Sequence, residues 1–187
     1  MRCGSRTASH KDDLMKRSVV FKSVLALFLI FLSAAATAQK PAWRQATDAE
    51  LAALLPARAP VEKEHIETEM RTASGIVDKH GHFIAGVVLI TAGYSAEGKY
   101  SHYLIVQAPV KIGGVALKPG EYVFGYTHKQ EDVLTVHFNE ASSGALIGTA
   151  DAHLLPARNV ASLKIWPPDK SLFQIGRFAL TYELESE

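Results

Sequence analysis

The chain has a single cysteine, Cys3, in 187 residues. No H-E-x-x-H, G-x-S-x-G or D-x-D-x-D-G spacing occurs, and no apolar run reaches the roughly 20 residues that a membrane-spanning helix needs. Each absence removes a class of chemistry. A lone thiol near the N-terminus supports no disulfide framework, no thiolate metal site and no Cys nucleophile further along. Without the helical zinc motif, the serine elbow or a calcium loop, the familiar hydrolase and calcium-binding signatures are missing. Charge of one sign is lacking too: 20 Lys and Arg stand against 19 Asp and Glu.

The longest apolar stretch, Val24 to Ala36, is interrupted only by Ser33. Lys16, Arg17 and Lys22 precede it, and Ala36-Thr37-Ala38 supplies a small-x-small cleavage pattern. This order predicts a cleavable secretory leader over residues 1–38, with Met15 as the true start, and hence a periplasmic or secreted protein with no membrane span after cleavage. The leader takes Cys3 with it, so no lipid-bearing N-terminal cysteine remains. It also leaves 14 basic against 17 acidic groups, a formal charge of −3 that argues against a nucleic-acid partner held by counterion release.

Residues 39–60 form a separate lead-in. Thr47 or Asp48 can cap a short helix through Ala49 to Leu55, with Asp48 and Glu50 near its positive end and Pro56 stopping it. Packing on the domain's own sheet is the expected use of Leu51, Leu54 and Leu55; a partner-binding helix is the alternative.

From residue 61 to 187 the periodicity is that of strands. Val61 to Arg71 alternates but is polar on both faces, which predicts a charged edge strand running on through Asp78. Val87 to Ile90 has no polar face and predicts a strand buried on both sides. Strands are also expected over residues 100–106, 110–112, 115–117, 121–128, 133–139, 145–149, 160–166 and 173–184. Gly113-Gly114 and Pro119-Gly120 mark turns, because glycine reaches positive φ cheaply and proline presets the first central position. Many short strands and no long 3.6-residue period predict an all-β fold: an antiparallel β-sandwich, jelly-roll or Ig-like, with a barrel as the alternative and a short N-terminal helix.

The run Val110-Lys111-Ile112-Gly113-Gly114-Val115-Ala116-Leu117-Lys118-Pro119-Gly120-Glu121-Tyr122, continuing to Leu134 through Asn139, resembles a family of secreted bacterial β-sandwich proteins of unknown function. The likeness covers about residues 110–139. It implies a periplasmic sandwich of unassigned activity and transfers no catalytic residue.

Histidines are the main candidates for a metal site. His80 and His82 are separated by one residue, so on an extended backbone both rings project to one side, and His102 or His128 could approach from a neighbouring strand to complete a divalent-metal site. Solvated side chains at a hairpin tip are the simpler expectation, and with it no cofactor. Asp151 and His153 with Ser142 or Ser143 contain the residue types of a hydrolytic triad without its motif context. Glu62, Glu64, Glu67 and Glu69 could act as oxygen ligands, but without calcium-loop spacing they are better read as a solvated, aggregation-resisting edge. Tyr122, Phe124, Tyr126 and His128 share one strand face, which is either core or the wall of a ligand site. Together these features favour non-enzymatic binding or scaffolding in the cell envelope, with an envelope protein or a small ligand as partner. The Tyr122, Phe124, Tyr126 face and the Tyr94 to Lys99 loop are the contact candidates. A β-barrel carrier of a small apolar ligand and a His-metal enzyme are the rivals.

Overall fold

Alternation of period two dictates the architecture of almost every segment from Trp43 onward. The structure is a computed structural model and describes residues 42–156 and 160–184. The expected leader lies outside the described residues. Among the described residues no helix is long and apolar enough to cross a membrane.

The elements in chain order are β1 (Trp43–Gln45), α1 (Asp48–Leu54), β2 (Arg58–Val61), β3 (Glu64–Asp78), β4 (Phe83–Leu89), β5 (His102–Val106), β6 (Val110–Ile112), β7 (Val115–Leu117), β8 (Gly120–Gln130), β9 (Val133–Glu140), β10 (Leu146–Leu154), β11 (Ala161–Ile165), β12 (Leu172–Gly176) and β13 (Phe178–Leu184). Hydrogen bonding orders the main path as β1-β3-β4-β5-β8-β9-β10-β13-β12-β11, with β2 added on β3 and the β6–β7 hairpin added on β13. Every pairing is antiparallel. The fold is all-β, one large curled antiparallel sheet with a short N-terminal helix.

Helix α1 forms because Thr47 and Glu50 cap it reciprocally. The Glu50 N–H donates to Thr47 Oγ1 at 3.3 Å, and the Thr47 N–H donates to Glu50 Oε2 at 2.8 Å. The Arg44 guanidinium binds the same carboxylate through both nitrogens, at 2.6 and 2.9 Å. Leu51 and Leu55 are buried and face the protein's own sheet, as expected.

Strand β3 is long, but it is not an edge. Strands β2 and then β1 line one side of it and β4 the other. The sequence misled here because the polar residues of β3, among them His65, Glu67 and Arg71, are exposed on its faces, while its backbone is paired on both sides by strands from elsewhere in the chain. The last expected strand, 173–184, is two strands: Gly176 takes φ 60°, and the chain reverses there so that β12 and β13 pair with each other. The β6–β7 hairpin falls where the Gly113-Gly114 turn requires, with φ values of 56° and 86°.

Two apolar cores lie on opposite faces of β4, β5 and β8. The inner core fills the curl of the sheet and contains Ile84, Leu104, Phe124, Phe138, Phe173 and Leu180. Its three phenylalanines touch at 5.4–6.4 Å between ring centroids, in edge or tilted geometry. The outer core lies beneath α1, β2 and the 91–100 loop and contains Leu51, Ile66, Val87, Tyr103 and Val123. Burial on both faces is why β4 and β5 carry almost no polar residues.

Strand β11, the last of the sheet path, lies back against β3, β4 and β5. Its Leu163 packs at Gly86, where an added Cβ would lie 2.9 Å from Leu163 Cδ2 and 2.9 Å from the Tyr103 carbonyl oxygen. The Ile165 N–H donates to Ser74 Oγ on β3 at 3.0 Å. His102 Nε2–H on β5 donates to the Ser162 carbonyl at 3.3 Å.

Candidate functional site

Strand β8 carries an aromatic face that runs from core to surface. Tyr122 is buried and its hydroxyl donates to the Lys118 carbonyl at 2.8 Å; burial raises its pKa. Phe124 is fully buried, and the His102 ring stacks on it at 4.5 Å with 7° between planes. Tyr126 emerges, 43% exposed, its ring 6.4 Å from that of His102. Two residues further along, His128 meets the Phe178 ring edge-on at 6.1 Å. Phe178 pairs across β13–β10 with Leu154, which is 36% exposed. Tyr126, His128, Phe178 and Leu154 therefore form an aromatic and aliphatic rim at one end of the curled sheet. Of the three aromatic residues singled out from the sequence, only Tyr126 reaches this surface. His128 lies on the same alternating face as these three, but Phe178 and Leu154 were missed, because period two shows which residues share a face but not where a face emerges from the core.

His102 belongs to the wall behind this rim and is nearly fully buried. A carbonyl only accepts, so Nε2 must carry the proton given to Ser162, and Nδ1 accepts from the Ser101 hydroxyl at 2.8 Å. Burial lowers the imidazole to about 4 against a small opposing effect of the Ser162 hydrogen bond. A base that weak is poorly matched to activating Ser101 at neutral pH.

The structure does not bring His102 to His80 and His82. Those two lie in the turn between β3 and β4, their rings 6.1 Å apart, while His102 pairs with Val88 at the other end of β4, about 17 Å along the strand. Asp78 organises the turn. Its Oδ1 accepts the His80 and His82 N–H groups, both at 2.8 Å, and its Oδ2 contacts His82 Nδ1 at 2.9 Å. Burial works against the Asp78 charge, but these hydrogen bonds outweigh it and lower its pKa. Among the described residues no group of three or more His, Cys, Asp or Glu side chains is placed to hold a metal ion.

The other sequence candidates have structural employment. Asp151 accepts from Thr135 Oγ1 at 2.9 Å and from Lys129 Nζ at 2.7 Å, while the Ser143 hydroxyl is turned to Glu140, so the triad residues are not assembled. Glu62 sits at φ 53° and accepts from Lys99 Nζ at 2.6 Å and the Tyr100 hydroxyl at 2.8 Å. Those bonds, Lys99 first, lower its pKa. Glu64 Oε1 accepts from the Ser95 hydroxyl at 2.5 Å and the Ser95 N–H at 3.0 Å. These two carboxylates clamp the 91–100 loop to the β2–β3 turn, which makes the loop part of the scaffold.

The chain matches no family model, no curated protein and no solved structure.

Proposed function

We propose that this chain is a secreted, non-catalytic binding protein of the cell envelope. Its contact surface is the rim of Tyr126, His128, Phe178 and Leu154, and its ligand is an apolar or aromatic group of an envelope partner or small molecule. The observation that carries this reading is the continuation of β8's aromatic face out of the core, with Tyr126 43% exposed and, two residues on, His128 against Phe178, which pairs with Leu154. Aromatic rings with polar tips bury much area at small entropic cost, and the Tyr126 hydroxyl and His128 ring nitrogens add directional hydrogen bonds. Of the acidic and imidazole candidates, Glu62 and Glu64 are committed to the loop clamps and His102 to the buried wall. Inside the curl, contact among Phe124, Phe138 and Phe173 weighs against an internal guest and favours binding at the rim.

A photo-reactive phenylalanine analogue placed at position 126 in the exported protein tests this. A discrete adduct is expected at 126 and not at His137, which faces the opposite side of β9. No adduct at 126, or the same adducts at both positions, contradicts it.

A further inference from the structure

Strand β11 closes the curl in an unusual way. On one side it pairs with β12, in a register that shifts between Ala161 and Lys164. On the other side, two side chains reach it: Ser74 Oγ receives the Ile165 N–H, and His102 Nε2 donates to the Ser162 carbonyl. Ser74 and His102 are two of the three buried polar residues among those described. A seam made from side chains is weaker than a backbone ladder, since each link is a single hydrogen bond with no neighbour to share its loss.

We propose that this seam is an acid-sensitive latch, in which protonation of His102 drives the ring from its apolar seat and releases β11 from β3 and β5. The surroundings of the ring supply the reason. Strand β4 presents Gly86 and Val88, β8 presents Phe124 and Tyr126, and β11 presents Leu163 and the Ser162 carbonyl. Tyr126 is the one ionisable side chain in that set. Lys164, the charged residue of β11, has its ammonium over the Trp166 ring at 5.6 Å. No carboxylate among the described residues is set against the imidazole to balance a positive charge.

Hydrogen bonding itself would survive protonation. Nδ1–H would donate to Ser101 Oγ, and the Ser101 hydroxyl would turn to the Phe124 carbonyl, 3.3 Å away. What is lost is solvation of the cation, which the open state restores. The open state therefore takes up a proton at the ordinary imidazole value near 6.5, and the closed state holds out to about 4. Between those limits the population of the open state rises roughly tenfold for each unit of falling pH. The latch does not depend on what the rim binds, so either proposal can fail alone.

Amide exchange followed by NMR on the exported protein at pH 7, 6 and 5, corrected for intrinsic rates, decides it. The Ile165 amide is expected to lose protection about tenfold per unit below pH 6.5 while Phe138 on β9 keeps its protection. In His102→Gln, whose side-chain amide can donate to Ser162 but cannot titrate, that dependence disappears. Should this variant fail to fold, the His102 ring signals of the native protein serve instead: an apparent midpoint between about 4 and 6.5, tracking Ile165, supports the latch. The proposal is overturned by pH-independent protection of Ile165, by the same dependence in His102→Gln, or by Ile165 and Phe138 losing protection together.

Discussion

His102 and Ser162, sixty positions apart in the chain, are joined by a hydrogen bond from the imidazole Nε2–H to the main-chain carbonyl at 3.3 Å. Replacing His102 with leucine keeps the bulk but strands that carbonyl in the core, with an expected loss of about 1–3 kcal/mol at neutral pH. The native protein has a second signature. The folded-state pKa of His102 is depressed to about 4, so its contribution is complete above pH 6.5, falls as pH drops from 6.5 to 4, and is constant below that. The total is on the order of 3 kcal/mol for a group this buried. Urea midpoints between pH 7.5 and 4 check it, and a His102→Leu curve parallel to the native one across that window contradicts it.

Gly86 is expected to be intolerant of a side chain. A valine there meets Leu163, which can shift, and the Tyr103 carbonyl, which cannot, both at 2.9 Å from the new Cβ. Gly86→Val is expected to cost about 1–3 kcal/mol. Thermal melts of both proteins test this, and an unchanged midpoint refutes the close approach of the Tyr103 carbonyl to Gly86.

At the N-terminus, Glu50 is held at about 2, first by its hydrogen bonds from Arg44 and then by those from Thr47. Its contribution is present above the ordinary carboxylate value of about 4.5 and is lost as pH falls toward 2. Carboxyl titration by NMR should find Glu50 still ionised at pH 3.5. Thr47→Ala, which removes the other half of the capping box, is expected to cost about 1 kcal/mol.

Glu62 pins the 91–100 loop through Lys99 and Tyr100. In Glu62→Ala the Lys99 ammonium is freed, and trypsin is expected to cut after Lys99 several-fold faster while cleavage after Lys111 stays unchanged. Equal rates in native and variant protein would mean that the loop is held by other contacts.

How much of this was legible from sequence follows from what alternation can report. Residues 110–112 and 115–117 emerge as strands because the Gly113-Gly114 turn is a local signal, and the Thr47 cap with Glu50 three residues on is equally local. Strand β3 was misjudged as an edge because its partners β1 and β2 come from the lead-in before residue 61, where strand signals are too short to recognise. The split at Gly176 was hidden within an otherwise continuous alternation. At the candidate site, the shared face of Tyr122, Phe124 and Tyr126 was readable, but its emergence beside Phe178 depends on how far the sheet curls. The separation of His102 from His80 and His82 depends on strand register, which no local pattern contains.

Native mass spectrometry of the protein exported with its own leader, compared with a Tyr126→Ser, Phe178→Ser double variant, tests the binding role most directly. The expected result is a discrete organic or protein adduct on the native chain that is absent from the variant, with both proteins folded. A bare chain mass for the native protein, or an adduct that persists in the variant, contradicts binding at this rim.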